Sequence, residues 1–119
     1  QFADRTHFVH LRSCYIFPDG NFTEASHLGG RGHLIELCRI FEKAEQEGKC
    51  NSGRRLPMRV DHGMTFTDEP GGVFDESNHG HNAGYTLLGR MFAMGQIQGV
   101  IATVDDELGI KYKQPGFYD

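Results

Sequence analysis

The chain is poor in cysteine, in basic residues and in long apolar runs, and each shortage excludes a class of protein. Its 119 residues include three cysteines, Cys14, Cys38 and Cys50, which are odd in number and widely spaced. They predict neither a disulfide framework nor a zinc finger, and a reducing cytoplasm is the simplest location. The formal net charge of −4 argues against a basic nucleic-acid-binding face. No apolar stretch approaches the roughly 20 residues of a membrane-spanning helix, so we expect neither nucleic acid nor membrane as a partner.

The length allows one domain at most, with a modest core. The chain starts at Gln1 instead of a methionine and enters a strand almost at once. We therefore expect it to be a piece of a larger protein. Residues 6–12, rich in Phe, Val and Leu, predict a strand that is buried on both faces. Residues 56–61 predict a second strand, with a proline near its start, where a missing N–H is tolerated.

Two amphipathic helices are predicted, one after each strand. The apolar residues Leu34, Leu37, Cys38 and Phe41 recur at helical spacing and predict a helix over about 32–47, ending at Gly48. The second helix is predicted over about 83–99, with Asn82 as its N-cap and with Gly89 and Gly95 allowing a close backbone approach. Its predicted apolar contacts are Leu87, Leu88, Met91, Phe92 and Met94.

Two long loops complete the predicted organisation. Residues 13–31 are predicted to be a loop with a turn at Pro18–Asn21, and residues 63–81 a second loop. The alternation of strands and helices is typical of an α/β fold with a parallel sheet. Ligands of such sheets bind at the carboxyl ends of the strands.

The carboxyl ends of the two predicted strands carry His10, Arg12, Asp61 and His62. Neutral imidazole and carboxylate suit Mn²⁺, Fe²⁺ or Zn²⁺, so His10 and Asp61 are candidate metal ligands. Arg12 points to the same side of the strand as His10, and the paired N–H groups of its guanidinium can hold a substrate carboxylate. A plainer interpretation is equally open: His10 is a hydrogen-bonded core histidine, Asp61 caps a loop, and Arg12 forms a salt bridge at the rim.

Acid/base chemistry has two candidates, His62 and Tyr85. A histidine next to a metal ligand can take or give a proton near neutral pH. A phenol at a helix N-terminus can donate a proton to a leaving oxygen. Taken alone, each residue favours the plainer interpretation, His62 as a solvent-facing loop residue and Tyr85 as a packing residue. The cluster of Asp75, His79 and His81 fits no established ligand spacing and is interpreted as a solvated loop.

Four sequence runs, kept in the same order, resemble the C-terminal part of mannonate dehydratases. The resemblance extends from residue 7 to about 110. The runs are His7-Phe8-Val9-His10-Leu11-Arg12, Phe22-Thr23-Glu24-Ala25-Ser26-His27-Leu28, Pro57-Met58-Arg59-Val60-Asp61-His62-Gly63 and Asn82-Ala83-Gly84-Tyr85 with Gly89-Arg90.

The resemblance implies a partial (β/α)₈ TIM barrel of the xylose-isomerase-like kind, of which residues 1–119 are C-terminal strand–helix units. It implies metal-dependent dehydration of D-mannonate to 2-keto-3-deoxy-D-gluconate in hexuronate (glucuronate) breakdown, with Mn²⁺ or Fe²⁺ as cofactor. By motif match, His10 and Asp61 would be metal ligands, His62 and Tyr85 the acid/base pair, and Arg12 a substrate-binding residue.

Two features depart from the family's pattern. The usual Arg-Pro-Asp-His-Gly-His run has Val60 and Met64 in place of its proline and second histidine, and the segment before Tyr85 is longer. We expect the isolated chain to be inactive and to associate with a missing barrel half or with itself. Two alternatives stay open. One is another metal-dependent sugar isomerase or epimerase of similar barrel type; the other, favoured by Met64, is a non-catalytic metal-binding remnant.

Overall fold

The computed structural model describes residues 2–61 and 87–111, which form a mixed α/β fold as predicted. Two 3-10 turns, at Ala3–Arg5 and Asn51–Gly53, accompany the strands and helices. In chain order the strands and helices are β1 (Val9–Leu11), β2 (Cys14–Ile16), β3 (Phe22–Glu24), α1 (Leu34–Gln46), β4 (Met58–Val60) and α2 (Leu87–Glu107).

The two predicted strands pair in parallel, as the alternation of strands and helices indicated. β1 and β4 are in register with His10 opposite Arg59 and Leu11 opposite Val60. Both strands are shorter than the predicted ranges of 6–12 and 56–61. The ladder continues one step beyond β4, where the Asp61 N–H donates to the Leu11 carbonyl at 2.9 Å. This bond holds the carboxyl ends of both strands together, which places the polar residues that follow them at one edge.

The prediction of an unbroken loop over residues 13–31 is wrong. β2 and β3 form an antiparallel hairpin in which Cys14 lies opposite Glu24. The predicted turn is confirmed: Gly20 has φ +88°, and its N–H donates to the Phe17 carbonyl at 3.0 Å. The hairpin was missed because its strands have three residues each and their large apolar side chains are exposed, so the alternation typical of a half-buried strand is absent.

Helix α1 ends as the sequence predicts, but its buried face is different. Gly48 follows the helix with φ +65°, and the Lys49 N–H bonds back to the Ala44 carbonyl at 2.8 Å, as in a glycine C-cap. Leu34 and Cys38 are buried as predicted, whereas Leu37 is 37% exposed. The buried face continues from Cys38 through Glu42, because α2 packs against that side of the helix.

Helix α2 differs most from its prediction. It continues to Glu107, eight residues beyond the predicted end, because Val100 and Val104 prolong the buried face that Ala93 and Ile97 begin. At Gly95 no described atom lies within 4 Å of an added Cβ, so no close backbone approach occurs there. The five predicted apolar contacts lie off this face and are exposed: Leu87, Leu88, Met91, Phe92 and Met94.

By length and composition, α2 is also apolar enough to cross a membrane, with a mean hydropathy of 1.2 over its best 18-residue window. This qualifies the expectation that no segment reaches that length. A single such helix is weak evidence, since core helices of soluble proteins pass the same test. The same window is 28% buried inside the structure, and the buried face of α2 packs in a core formed by Leu11, Leu34, Cys38, Ile97, Val100 and Val104.

Candidate metal and substrate site

The parallel pairing of β1 and β4 brings His10 and Asp61 into contact. His10 Nε2 lies 3.0 Å from Asp61 Oδ1, although the two residues are 51 positions apart in the chain. The carboxylate is held in a largely buried position, with 10% of its side chain exposed, whereas the imidazole is 44% exposed. The contact therefore places a nitrogen and an oxygen donor together at an accessible edge of the sheet.

Arg12 joins the same cluster from the residue just beyond β1. Its Nε forms an ion pair with Asp61 Oδ2 at 3.2 Å, and its Nη2 donates to Glu24 Oε1. The guanidinium carbon lies 5.3 Å from the ring centroid of Phe22, so the aromatic face covers one side of the fork. The hydrogen bond to Glu24 raises the pKa of Arg12 above its ordinary value, which keeps the guanidinium charged at any physiological pH.

Glu24 is a site residue that the sequence analysis did not select. It reaches the cluster because the β2–β3 hairpin folds back beside the end of β1, and its side chain is only 7% exposed. The only available signal was its place in the second of the four runs that carry the family resemblance. With Asp61 and Arg12, it gives the cluster one net negative charge when His10 is counted as neutral, which favours a cation.

Cys14 lies at the edge of this cluster, opposite Glu24 in the hairpin. Burial raises the pKa of its thiol, and the Glu24 charge adds to that effect. The three cysteines are all free thiols. Burial and the Glu24 charge thus disfavour the thiolate form of Cys14, while the nearby Arg12 charge opposes them.

The donor pair fits a divalent ion. Neighbouring ligands of an octahedral ion, each about 2.1 Å from it and at right angles, lie about 3 Å apart. This is the separation of His10 Nε2 from Asp61 Oδ1. The second oxygen of Asp61 is meanwhile oriented by Arg12, as carboxylate ligands commonly are. Within residues 2–61 and 87–111, no group of three or more His, Cys, Asp or Glu could hold a metal ion, so the pair is a partial site.

The remaining predicted site residues, His62 and Tyr85, lie outside the described residues, as do Asn82, Met64 and the Asp75, His79 and His81 cluster. The structure thus brings together the three predicted site residues that it describes, His10, Arg12 and Asp61.

Comparison with known proteins identifies the family of the chain. The profile of the family described as D-mannonate dehydratase (UxuA) matches residues 1–111. The chain belongs to the D-mannonate dehydratase family. This confirms the resemblance carried by the four sequence runs and places the chain among the dehydratases, which are lyases.

Several relatives show the extent of the match. The chain is 34% identical to mannonate dehydratase 2 of Agrobacterium fabrum over 110 residues, covering 91% of this chain and 26% of that protein. It is 33% identical to a mannonate dehydratase of Saccharophagus degradans over 107 residues, covering 88% and 25% respectively. A Brucella canis mannonate dehydratase is 32% identical over 106 residues, covering 88% and 24%. The chain spans about a quarter of the length of the relatives it matches.

Proposed function

We propose that this chain supplies part of the active site of an enzyme that dehydrates D-mannonate to 2-keto-3-deoxy-D-gluconate in hexuronate (glucuronate) catabolism. The observation that carries the proposal is the 3.0 Å contact of His10 with Asp61 at the matched ends of parallel strands. Family membership supplies the reaction. In this proposal residues 1–119 are C-terminal strand–helix units of one cytoplasmic (β/α)₈ barrel, and the parallel β1–β4 pair with α1 between them is consistent with such units.

A divalent cation, Mn²⁺ or Fe²⁺, would be held by His10 Nε2 and Asp61 Oδ1 together with ligands from elsewhere in the protein. Bound there, it would supply the positive charge that stabilises the enediolate developing on the substrate carboxylate when the C2 proton leaves. Arg12 keeps Asp61 in place through Oδ2, and Glu24 in turn holds Arg12. The orientation of the Asp61 carboxylate is thus set before any ligand arrives.

The chain's own residues would perform the remaining steps. His62 and Tyr85 form the acid/base pair, one removing the C2 proton and the other protonating the departing C3 hydroxyl, so that the sugar acid loses one water. Arg12 already uses Nε and Nη2 on protein carboxylates, so it would meet a substrate carboxylate through Nη1. The sugar acid is then oriented by the same guanidinium that orients Asp61.

Association with another chain or with further barrel units is part of the same proposal. The exposed apolar side chains of α2 and a cavity of about 620 Å³ between β4 and α2 support it, because monomeric proteins rarely leave such surface in water. The cavity is lined by Pro57, Met58, Val60, Met94 and Ile101 among others. We expect sedimentation to show a species larger than 13.4 kDa; a monodisperse monomer that melts cooperatively would contradict this.

The reaction is tested most sharply in a chimera. Residues 1–111 replace the matched segment of the Agrobacterium fabrum enzyme, and the product formed from D-mannonate with Mn²⁺ is identified. We expect 2-keto-3-deoxy-D-gluconate, and a loss of at least about 100-fold in rate in His62→Asn, because a general acid or base contributes that much. Lys43→Gln, an exposed change on α1, is the matched control and should leave the rate unchanged.

Each other result has a defined meaning. A folded chimera that binds metal without turnover would contradict the proposal. It would favour the alternative of a non-catalytic metal-binding remnant, which Met64 in place of the family's second histidine also favours. An isomerised or epimerised sugar acid as the product would instead identify a metal-dependent isomerase or epimerase.

A further inference from the structure

A buried histidine lies directly behind the candidate site. The ring of His27 is 2% exposed, among the most buried large side chains in the described residues, and its Nε2 lies 3.0 Å from the Leu11 carbonyl oxygen. Because a carbonyl oxygen can only accept, Nε2 carries the proton and donates it. The imidazole is therefore fixed as one tautomer by the last residue of β1.

The Leu11 carbonyl oxygen, which accepts that bond, also takes part in the pairing of β1 with Asp61. The Leu11 carbonyl also accepts the Asp61 N–H at 2.9 Å, and Leu11 lies between His10 and Arg12 in the chain. The orientation of this peptide group therefore sets the position of Asp61 relative to β1. His27 donates to the same oxygen, so two hydrogen bonds, one from Asp61 and one from His27, hold this peptide group in place.

His27 is itself held by α2. Its backbone N–H donates to the Gln96 Oε1 at 3.0 Å, across 69 positions of the chain. The other ring nitrogen, Nδ1, is buried and has no hydrogen-bond partner among the described residues. Burying a polar atom in this way costs free energy, and an apolar residue at position 27 would avoid that cost. Among residues 2–61 and 87–111, the one hydrogen bond of the ring is that to the Leu11 carbonyl oxygen.

We propose that His27 is a positioning residue of the site: through the Leu11 carbonyl it fixes the spacing of His10 Nε2 and Asp61 Oδ1 and thereby the affinity for a divalent cation. The part concerning the cation rests on the proposed function. His27 contacts neither donor side chain and acts only through the peptide group between them. It connects α2, by way of Gln96, to the end of the parallel ladder.

The first test needs no substitution. ¹⁵N NMR of histidine-labelled protein reports the tautomer of each ring, and we expect His27 to carry its proton on Nε2. Two variants follow: His27→Leu removes the donor, whereas the side-chain amide of His27→Gln can replace Nε2. His33→Leu, an exposed position that caps α1 without a side-chain hydrogen bond, is the matched control.

We expect His27→Leu to shift the Asp61 amide and His10 ring signals, His27→Gln to restore them, and His33→Leu to leave them in place. In Mn²⁺ titrations, the dissociation constant should rise about tenfold or more in His27→Leu, as for other residues that orient ligands, and less than about threefold in His27→Gln. If His27→Leu does not fold, the position of the proton on wild-type His27 and the Asp61 and His10 signals of His27→Gln still test the proposal.

The inference is overturned if wild-type His27 carries its proton on Nδ1, or if folded His27→Leu leaves the Asp61 and His10 signals unchanged. If those signals respond as expected but the chimera with the Agrobacterium fabrum enzyme binds no Mn²⁺, the positioning role of His27 stands, and it is the proposed metal site that fails.

Discussion

Glu42 of α1 and Asp105 of α2 are both buried where the two helices pack together, and the Asp105 carboxylate acts on the charge of Glu42. Burial and a neighbouring negative charge both disfavour the ionised form of a carboxyl group. Burial first, and the charge of Asp105 second, raise the pKa of Glu42 to about 7, while the Arg55 charge opposes the rise. The contact between α1 and α2 therefore depends on a proton that leaves near neutral pH.

This pair predicts a pH-dependent stability. An unfolded Glu42 loses its proton near 4.5 and the folded one near 7, so the free energy of unfolding should fall as pH rises through that window. The loss should be roughly 1–3 kcal/mol and complete above pH 7. Urea unfolding at pH 5.5 and 8 measures it. Glu42→Gln should flatten the profile, and Glu36→Gln, at an exposed position of α1, should not.

The contrary result is equally clear. A wild-type profile that is flat, or that rises between pH 5.5 and 8, would show that folding does not raise the pKa of Glu42.

Arg12 and Glu24 provide a second prediction. Removing the Arg12 guanidinium would take its positive charge away from the largely buried Glu24 carboxylate. We expect Arg12→Met to lower the free energy of unfolding by about 2–3 kcal/mol. Adding Glu24→Gln should then recover part of the loss, giving a coupling of about 1–3 kcal/mol in a double-mutant cycle. Arg39→Met, which breaks an exposed pair with Glu107, should lower the free energy of unfolding much less, because solvent screens that pair. Additive effects of the Arg12 and Glu24 changes would refute the coupling.

Replacing Gly30 and Gly95 by alanine should change the stability of the chain in opposite directions. An added Cβ at Gly30 would lie 2.9 Å from the Cys14 carbonyl oxygen and would also meet the Ser13 side chain, so Gly30→Ala should destabilise by about 2 kcal/mol. Gly95 has open space around it in the described structure and lies within α2, so Gly95→Ala should stabilise by about 1 kcal/mol. Thermal unfolding of the two variants checks both signs. Gly30→Ala melting at or above the wild-type temperature would contradict the packing of residues 25–32 against Ser13.

The sequence was sufficient for the elements that have strong local signals. The apolar runs before His10 and Asp61 located two strand ends, and parallel pairing then predicted their proximity. Glu24 and His27 carried no such signal, because each reaches the site only through the hairpin fold and its packing. The helix face of α2 was misjudged for a related reason: its sequence is apolar on several sides, and only the position of α1 decides which side is buried.

The central claim is that His10 and Asp61 help to hold a divalent cation, and Mn²⁺ titration of the chimera, which supplies the remaining ligands, followed by electron paramagnetic resonance, tests it most directly. The account predicts saturable binding at one site per chain. It also predicts an affinity at least about tenfold weaker in Asp61→Asn, which keeps the shape of the side chain and removes its charge. Asp106→Asn, an exposed position on α2, should bind as the wild type does. Equal affinity in the wild type and Asp61→Asn would contradict the claim.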